Sequence, residues 1–323
     1  MACLRHDAIS LNNCAIASEL VHPAVAAIAL AAAGSVPFDD GSGAAVDRAT
    51  QEALLRRLCD EAGPAAVLLA GRHLDAVATE PILLALLNSD TVEVVVDKLD
   101  RLNRFLHSTH RHRVIESGEH QIEIEHRSTT GEPPTAAESL FVCGIYLELF
   151  ARIGCRDLTC AFPDAPTSDR IVYRSGLAHD VPATDTGRWR ISWSGIDARR
   201  PLAGLDDLLL RTLPPDLTAS PTASAVADVV ATDLARGWRL GDVAAAMTMS
   251  PRTLQRRLRD EGTTLSDTVR TTRIEGAQRL LRDPDRSITD IGYVTGFADT
   301  AHFSRTFTRA CGQTPTVWRR TAV

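Results

Sequence analysis

Arg252, Gln255, Arg256 and Arg259 stand at positions i, i+3, i+4 and i+7 of a short segment in which Leu254 and Leu258 take up the other side. On a helix that spacing makes a single polar face of guanidinium and amide groups. Arginine can bond two acceptors on guanine, glutamine can bond adenine twice, and both can hold phosphate. Such a face suits the major groove of duplex DNA. A merely solvated arginine face is the alternative reading of the helix taken alone. Ser250 and Pro251 predict where the helix starts, a hydroxyl to accept from its open amides and a proline where φ is already helical and no N–H is needed.

The elements that would position this face occur twice. Between Ser287 and Arg320, Ile288, Ile291 and Val294 form an apolar stripe, Thr295-Gly296-Phe297 makes a turn, and Asp299 caps a second helix with Phe303 and Phe307 inward. Gly312 and Pro315 end it. Leu240, Asp242 and Val243 correspond to Ile288, Asp290 and Ile291; Ser250, Leu254, Arg256 and Leu258 correspond to Asp299, Phe303, Arg305 and Phe307. Two helix-turn-helix plans, about 240–261 and 288–311, therefore lie within a hundred residues. Between them, Leu265–Leu281 reads as a helix with Val269, Ile274, Ala277, Leu280 and Leu281 available for packing. A rigid connector of that kind could set two reading helices into successive major grooves, about 34 Å apart.

Charge follows the same division. Residues 221–323 carry fifteen Arg against eleven Asp and Glu, whereas the other 220 carry twenty basic and thirty acidic residues. A basic module on an acidic body is expected when one part touches phosphate. The seven cysteines form no CxxC pair and read as reduced thiols. The run Val25 to Ala33 lacks a basic segment directly before it and is shorter than the roughly 20 residues of a membrane span, so it predicts a buried helix in a cytoplasmic protein with no membrane partner. There is no GxSxG, P-loop, dinucleotide glycine fingerprint or HExxH, and no enzyme or cofactor is expected.

Upstream, periodicity predicts helices over Ala17–Ala33, Val46–Glu61, Ala65–Leu74, Pro81–Leu87 and Thr135–Ile153. The clearest is Thr91–Leu106, with Val92, Val95, Leu99, Leu102 and Leu106 on one stripe. His112–Glu116 and His120–Arg127 read as strands, Ile122 and Ile124 alternating with Gln121, Glu123 and Glu125, and Arg190–Ser194 as a third. The expected fold is multidomain: an α+β regulatory domain over 1–212, a linker over 213–222, and an all-α domain with two helix-turn-helix motifs over 223–323.

Residues 223–320 resemble the DNA-binding domain of the AraC/XylS family of bacterial transcription regulators. The matching segments are Ser250-Pro-Arg-Thr-Leu-Gln-Arg-Arg-Leu, Arg273-Ile-Glu-Gly-Ala-Gln-Arg-Leu-Leu, Ile291-Gly-Tyr-Val-Thr-Gly-Phe, Ala301-His-Phe-Ser-Arg-Thr-Phe and Gly312-Gln-Thr-Pro. The resemblance implies sequence-specific binding of double-stranded promoter DNA and contact with RNA polymerase. With the arginine face, it gives a DNA-contacting set of Arg252, Thr253, Gln255, Arg256 and Arg259 in the first motif. In the second it gives Thr300, Ala301, His302, Ser304 and Arg305. Ala301 offers only a methyl, so the second motif is expected to position more than discriminate. Gly292 stands where the family usually has alanine, an expected loosening of about 0.5–1 kcal/mol.

Residues 17–203 resemble the arabinose-binding-like N-terminal domain of one branch of that family, through Ser89-Asp-Thr-Val-Glu-Val-Val-Val, the Glu138–Phe150 helix, Ala161-Phe-Pro-Asp-Ala-Pro and Arg199-Arg-Pro-Leu. That implies a small-molecule effector or self-association as a homodimer. Tyr173, Trp189 and Trp193 are the candidate effector-lining residues, with aromatic core packing as the bland reading. Two alternatives stay open. One is a metal- or redox-responsive regulator sensing through the histidines from His107 to His126 or through Cys155 and Cys160, although no familiar metal-ligand spacing is completed and no metal site is assigned. The other is a ligand-independent activator whose N-terminal domain only dimerises.

Overall fold

The computed structural model describes residues 23–34, 48–77, 80–106, 110–129, 131–165, 170–197 and 221–322. His107, the Arg199-Arg-Pro-Leu segment and most of the expected linker lie outside them. Before the sheet the helices are α1 (Pro23–Ala32), α2 (Arg48–Ala62), α3 (Pro64–Leu68), a 3₁₀ segment (Leu69–Val77), α4 (Pro81–Leu87) and α5 (Val92–Phe105). The chain divides into two compact units, one of residues 1–80, 90–92 and 106–199, the other of 81–89, 93–105 and 200–323. Thus α4 and all but the first residue of α5 group with the C-terminal helices, a partition that a single boundary at 212 does not contain.

The first unit sets α6 (Ala136–Arg152) beside antiparallel sheet. Thr135 and Glu138 start α6 with a capping box: the Thr135 hydroxyl accepts from the Glu138 amide at 3.2 Å, and the Glu138 carboxylate accepts from the Thr135 amide at 2.8 Å. Leu140, Phe141, Cys143, Tyr146, Leu147, Leu149 and Phe150 are all buried, so α6 is a central helix with hardly a wet face. Its strands are β1 (His110–Ser117), β2 (Gln121–Ser128), β3 (Cys155–Arg156), β4 (Thr159–Ala161), β5 (Tyr173–Arg174), β6 (Leu177–Ala178), β7 (Arg188–Ser192) and β8 (Gly195–Ile196). Six run in the order β1-β2-β7-β4-β5-β6, and β3 pairs with β8.

Two expectations change here. The helix expected over Ala65–Leu74 stops at Leu68 and continues as the 3₁₀ segment. Gly71 explains why: a Cβ there would stand 2.1 Å from the Gly144 carbonyl oxygen, and one on Gly144 would stand 2.1 Å from the Leu68 carbonyl oxygen. Two glycines let two backbones touch, and that contact overrides local propensity. On β2, Ile122 and Ile124 are buried as expected, but so is Glu123. It sits directly opposite Arg190 of β7, and Arg188 and Arg190 both hold its carboxylate, with Arg190 Nε donating at 3.0 Å. Burial of that charge is tolerated because two cations meet it.

The second unit adds α7 (Pro221–Ala231), α8 (Leu240–Ala246), α9 (Pro251–Asp260), α10 (Leu265–Leu280), α11 (Ile288–Val294), α12 (Thr300–Cys311) and α13 (Pro315–Ala322). Polar side chains cap four of them: Ser250 accepts from the Thr253 amide, Thr264 from Asp267, Ser287 from Asp290, and Asp299 from His302. Val226, Val230 and Leu234 pack with Val243, Ala244, Leu254 and Leu258 to bind α7, α8 and α9 together. The Glu261 carboxylate accepts from the Thr222 and Ala223 amides at 3.0 Å each, closing the start of α7 against the end of α9. Around α11 and α12 the core is aromatic, with Phe297–Phe303 and Phe303–Phe307 ring centroids 5.0 and 5.7 Å apart. At Gly292 of α11 a Cβ would lie 2.9 Å from Phe303 Cδ1 and 3.1 Å from Phe105 Cε1. The space an alanine would need is already filled. No helix among the described residues is long and apolar enough to cross a membrane.

Candidate nucleic-acid interface

α9 begins where Ser250 and Pro251 predict, and its two apolar side chains are both sequestered, Leu254 wholly and Leu258 at 1% exposure. That fixes the helix by one side and turns the other outward. Arg252, Gln255, Arg256 and Arg259 are all exposed, as is Arg257, which the periodic face did not select. Thr253 is half-buried, its amide donating to Ser250 Oγ at 3.1 Å and its hydroxyl lying 2.8 Å from the same oxygen. Its role in isolation is therefore to complete the cap, with its outer surface beside Arg252.

α12 repeats the arrangement with weaker chemistry. Phe303 and Phe307 are fully buried, while Ala301, His302 and Arg305 are exposed and Thr300 and Ser304 are half-exposed. His302 is held in place. Its amide donates to Asp299 Oδ1 at 2.7 Å, its Nδ1 accepts from the Ala298 amide at 3.3 Å, and its ring meets Phe297 edge-on at 5.6 Å. With Nδ1 accepting, the neutral ring carries its hydrogen on Nε2, a single donor at a fixed position. Between the two faces runs α10, sixteen residues or about 24 Å long. Arg273 of α10 is drawn inward to donate to the carbonyl oxygens of Leu234 at 3.2 Å and Arg236 at 2.8 Å. Burial, with Arg101 nearby, lowers its pKa to about 10, so it stays charged at neutral pH.

The residues singled out in the first unit are brought together differently. Tyr173, Trp189 and Trp193 are buried at 6%, 0% and 6% exposure. Trp189 meets His112 edge-on and Tyr146 and His126 at a tilt, and Trp193 meets Phe150 edge-on, a run of rings along α6. Among the described residues, Trp189 Nε1 has no hydrogen-bond partner. The histidine nitrogens have protein partners: His112 Nδ1 with the Tyr146 hydroxyl at 2.8 Å, His126 Nδ1 with Ser139 Oγ at 3.1 Å, and His110 Nε2 with Arg48 at 2.9 Å. Among the described residues, no group of three or more His, Cys, Asp or Glu is arranged to hold a metal ion. Burial, reinforced by His110 and Arg111, lowers the pKa of His112 to about 3, and burial holds His126 well below its usual range. For Cys160 the near neighbour is Cys143, with sulfurs 3.7 Å apart, and burial raises the Cys143 thiol well above its usual value. Cys155 lies on β3, which pairs with β8.

Residues 243–321, from within α8 to α13, match the family model of a helix-turn-helix domain. The chain is 40% identical over 81 residues to the transcriptional activator NphR of Rhodococcus sp, covering 25% of this chain and 24% of that protein. It is 39% identical over 104 residues to the HTH-type transcriptional regulator GlxA of Rhizobium meliloti, covering 32% of each. The likeness is confined to this helix-turn-helix segment. Among solved structures, it is similar to a transcriptional regulator with an AraC-type DNA-binding domain from Chromobacterium violaceum. That likeness has 26% identity and a TM-score of 0.30, over 31% of this chain and 91% of that one. The chain thus spans about a quarter to a third of the curated relatives it matches. Both of those relatives are transcriptional regulators.

Proposed function

We propose that this protein is a sequence-specific DNA-binding transcriptional regulator that reads promoter DNA with two helix-turn-helix motifs, α8–α9 and α11–α12. The observation that carries this is the outward face of α9. Four forked or amide side chains stand exposed on a capped helix whose apolar side is wholly buried, inside the segment that matches a helix-turn-helix domain. Arg252, Gln255 and Arg256 read bases or adjacent phosphate, Arg259 holds phosphate, and Thr253 contributes beside the cap. On α12, His302 Nε2 and Arg305 are the donors, Ala301 offers a methyl, and Thr300 and Ser304 suit phosphate. The second motif positions more than it discriminates.

The first unit gates this binding through a small-molecule effector or through self-association, and contact with RNA polymerase at the promoter accompanies it. Among the described residues nothing accepts from the buried Trp189 indole N–H, which is therefore the donor an effector in the first unit would meet. The test is binding of the full chain to DNA from the region upstream of its own coding sequence, with random DNA as competitor and salt varied. Binding that survives the competitor and falls steeply with salt, by a log–log slope of about 0.9 per neutralised phosphate, supports the reading. Absence of preference for any sequence in a genome-wide DNA pool overturns it.

A further inference from the structure

All but the first residue of α5 lies within the second unit, where it touches the turn after α7 and also α11. On one side is the turn after α7, whose Leu234 belongs to the core that also buries Leu254 and Leu258. Lys98 donates to Asp233 Oδ2 there at 2.7 Å, and Arg101 donates to the Ala235 carbonyl oxygen. Just before α5, Asn88 Nδ2 donates to the Thr232 carbonyl oxygen at 2.9 Å. On the other side is α11. The Tyr293 hydroxyl donates to the Lys98 carbonyl oxygen at 3.2 Å, and the Arg101 guanidinium stands 5.0 Å over the Tyr293 ring. Phe105 meets Tyr293 edge-on at 5.8 Å and occupies the space beside Gly292.

Three successive turns of one helix therefore hold both sides, because Lys98, Arg101 and Phe105 are spaced three and four apart. Lys98 is wholly buried and Asp233 nearly so. Charges are buried in this way only where they meet and other bonds satisfy them, and Lys98 also donates to the Ala85 and Asn88 carbonyl oxygens at 2.7 and 2.9 Å. Neither α9 nor α12 has its outward side chains covered in the process.

We propose that α5, with Lys98, Arg101 and Phe105 as positioning residues, is an intramolecular splint that fixes the relative placement of the two helix-turn-helix motifs. The inference rests on the DNA-binding reading above. Two motifs joined only by α10 can rock about its ends. Tying the 233–235 turn and Tyr293 to one rigid helix removes that freedom before DNA is met, and it sets the spacing between the two DNA elements the protein accepts. Gly292, with no Cβ, is what admits Phe105 so closely.

The test uses the full chain and the DNA that it enriches from a random-sequence pool. Phe105→Ala is the principal variant because it leaves the ion pair intact; Lys98→Met is the second. Affinity is measured for the enriched two-element DNA, for the same DNA with one element scrambled, and for DNA with one base pair inserted between the elements. The splint predicts a loss of tenfold or more on the two-element site and a change within twofold on the single element. It also predicts that Phe105→Ala loses most of the wild-type preference against the inserted base pair. Equal losses on one- and two-element DNA, or unchanged affinities and spacing preference, overturn the splint and leave the DNA-binding reading standing. If the wild-type chain enriches no sequence, the DNA-binding reading falls instead. Hydrogen exchange of the same variants then judges the tie: joint loss of protection at 233–238 and 288–297 supports it, and loss at one alone overturns it.

Discussion

Lys98 and Asp233 are an unequal pair, and the two ways of breaking them should differ in size and in pH dependence. Burial lowers the lysine pKa and raises that of the aspartate, in both cases against the pull of the partner. The charges of Arg101 and Arg236 also act on Asp233, so this carboxylate answers more than one cation. Removing one partner of a buried pair costs about 3–5 kcal/mol. Lys98→Met leaves Asp233 with Arg101 close by, and its cost should fall near the lower figure, about 3 kcal/mol. Asp233→Asn leaves Lys98 and Arg101 buried without that anion, and should cost about 5 kcal/mol or more. The double variant should cost roughly as much as the worse single rather than the sum, because the residues share one interaction. The pH dependences run in opposite directions. In Lys98→Met the folded-state pKa of Asp233 is raised further, so stability is present at low pH and lost as pH rises through that value. In Asp233→Asn the folded-state pKa of Lys98 is depressed further, so stability is recovered as pH rises toward its unfolded value. Urea unfolding, followed by hydrogen exchange of peptides from 226–234 and 288–297, isolates the second unit. Equal costs for the two singles, or the same pH trend in both, would refute the account of the network.

Four other outcomes follow from the geometry. Arg256→Ala should weaken specific DNA binding by about 1–3 kcal/mol and relax preference at one base position, read by selection from randomised sites; a uniform loss on all sequences would reduce it to a phosphate contact. Gly144→Ala should destabilise the first unit by several kcal/mol, at least about 3, in chemical denaturation, because its Cβ would meet a backbone oxygen that cannot move aside. Ser250→Ala should cost about 1 kcal/mol, seen as faster exchange in the first turn of α9, whereas Ser250→Asp should cost almost nothing. Acid should weaken the first unit: His112 has a folded pKa of about 3, so stability falls as pH drops below the unfolded value of about 6.5 and goes on falling toward pH 3, by an order of 1.4 kcal/mol per unit. Near-UV circular dichroism of the Trp189 environment between pH 7 and 4 measures this, and His112→Phe should flatten the slope.

What the sequence made legible was what local chemistry decides. The caps at Ser250, Ser287 and Asp299, the stripes at Leu254–Leu258 and Phe303–Phe307, and the glycine at the end of α12 each act within a few residues, and the helices begin and end close to where those residues stand. The outward α9 face follows from the same periodicity. Membership of α5 in the second unit was not legible, because Lys98 and Asp233 are 135 residues apart and nothing local links them. A signal was present all the same. Lys98 is the chain's sole lysine, and it falls three residues after Val95, on a stripe otherwise apolar. An ionisable residue on the buried side of a helix calls for a partner, and only the tertiary fold says which. Glu123 misled for the same reason: strand alternation places it opposite Ile122 and Ile124, but does not say that two arginines of β7 cover that face.

The polar junction under α5 is not fully satisfied, and this bears on how gating could reach the DNA. Among the described residues, Arg101 Nε and Nη2 and Asp233 Oδ1 are buried without hydrogen-bond partners. Each such atom forfeits stability that an apolar contact would not, so the junction holds α5 less tightly than a packed hydrophobic seam of the same size. The residues on both ends of α5, 90–92 and from 106 onward, belong to the first unit, so a rearrangement there acts on the helix through the backbone at both ends. Coupling between units requires an element with two arrangements that both sites bias, and on the splint reading α5 would be that element. An effector or a second copy of the chain would then alter DNA binding without touching α9 or α12, by changing how well Lys98, Arg101 and Phe105 hold the two motifs in register. The sign of the response depends on which state of the first unit leaves α5 seated. A regulator that loses spacing preference when its effector is bound, while keeping affinity for a single element, would work by unseating it.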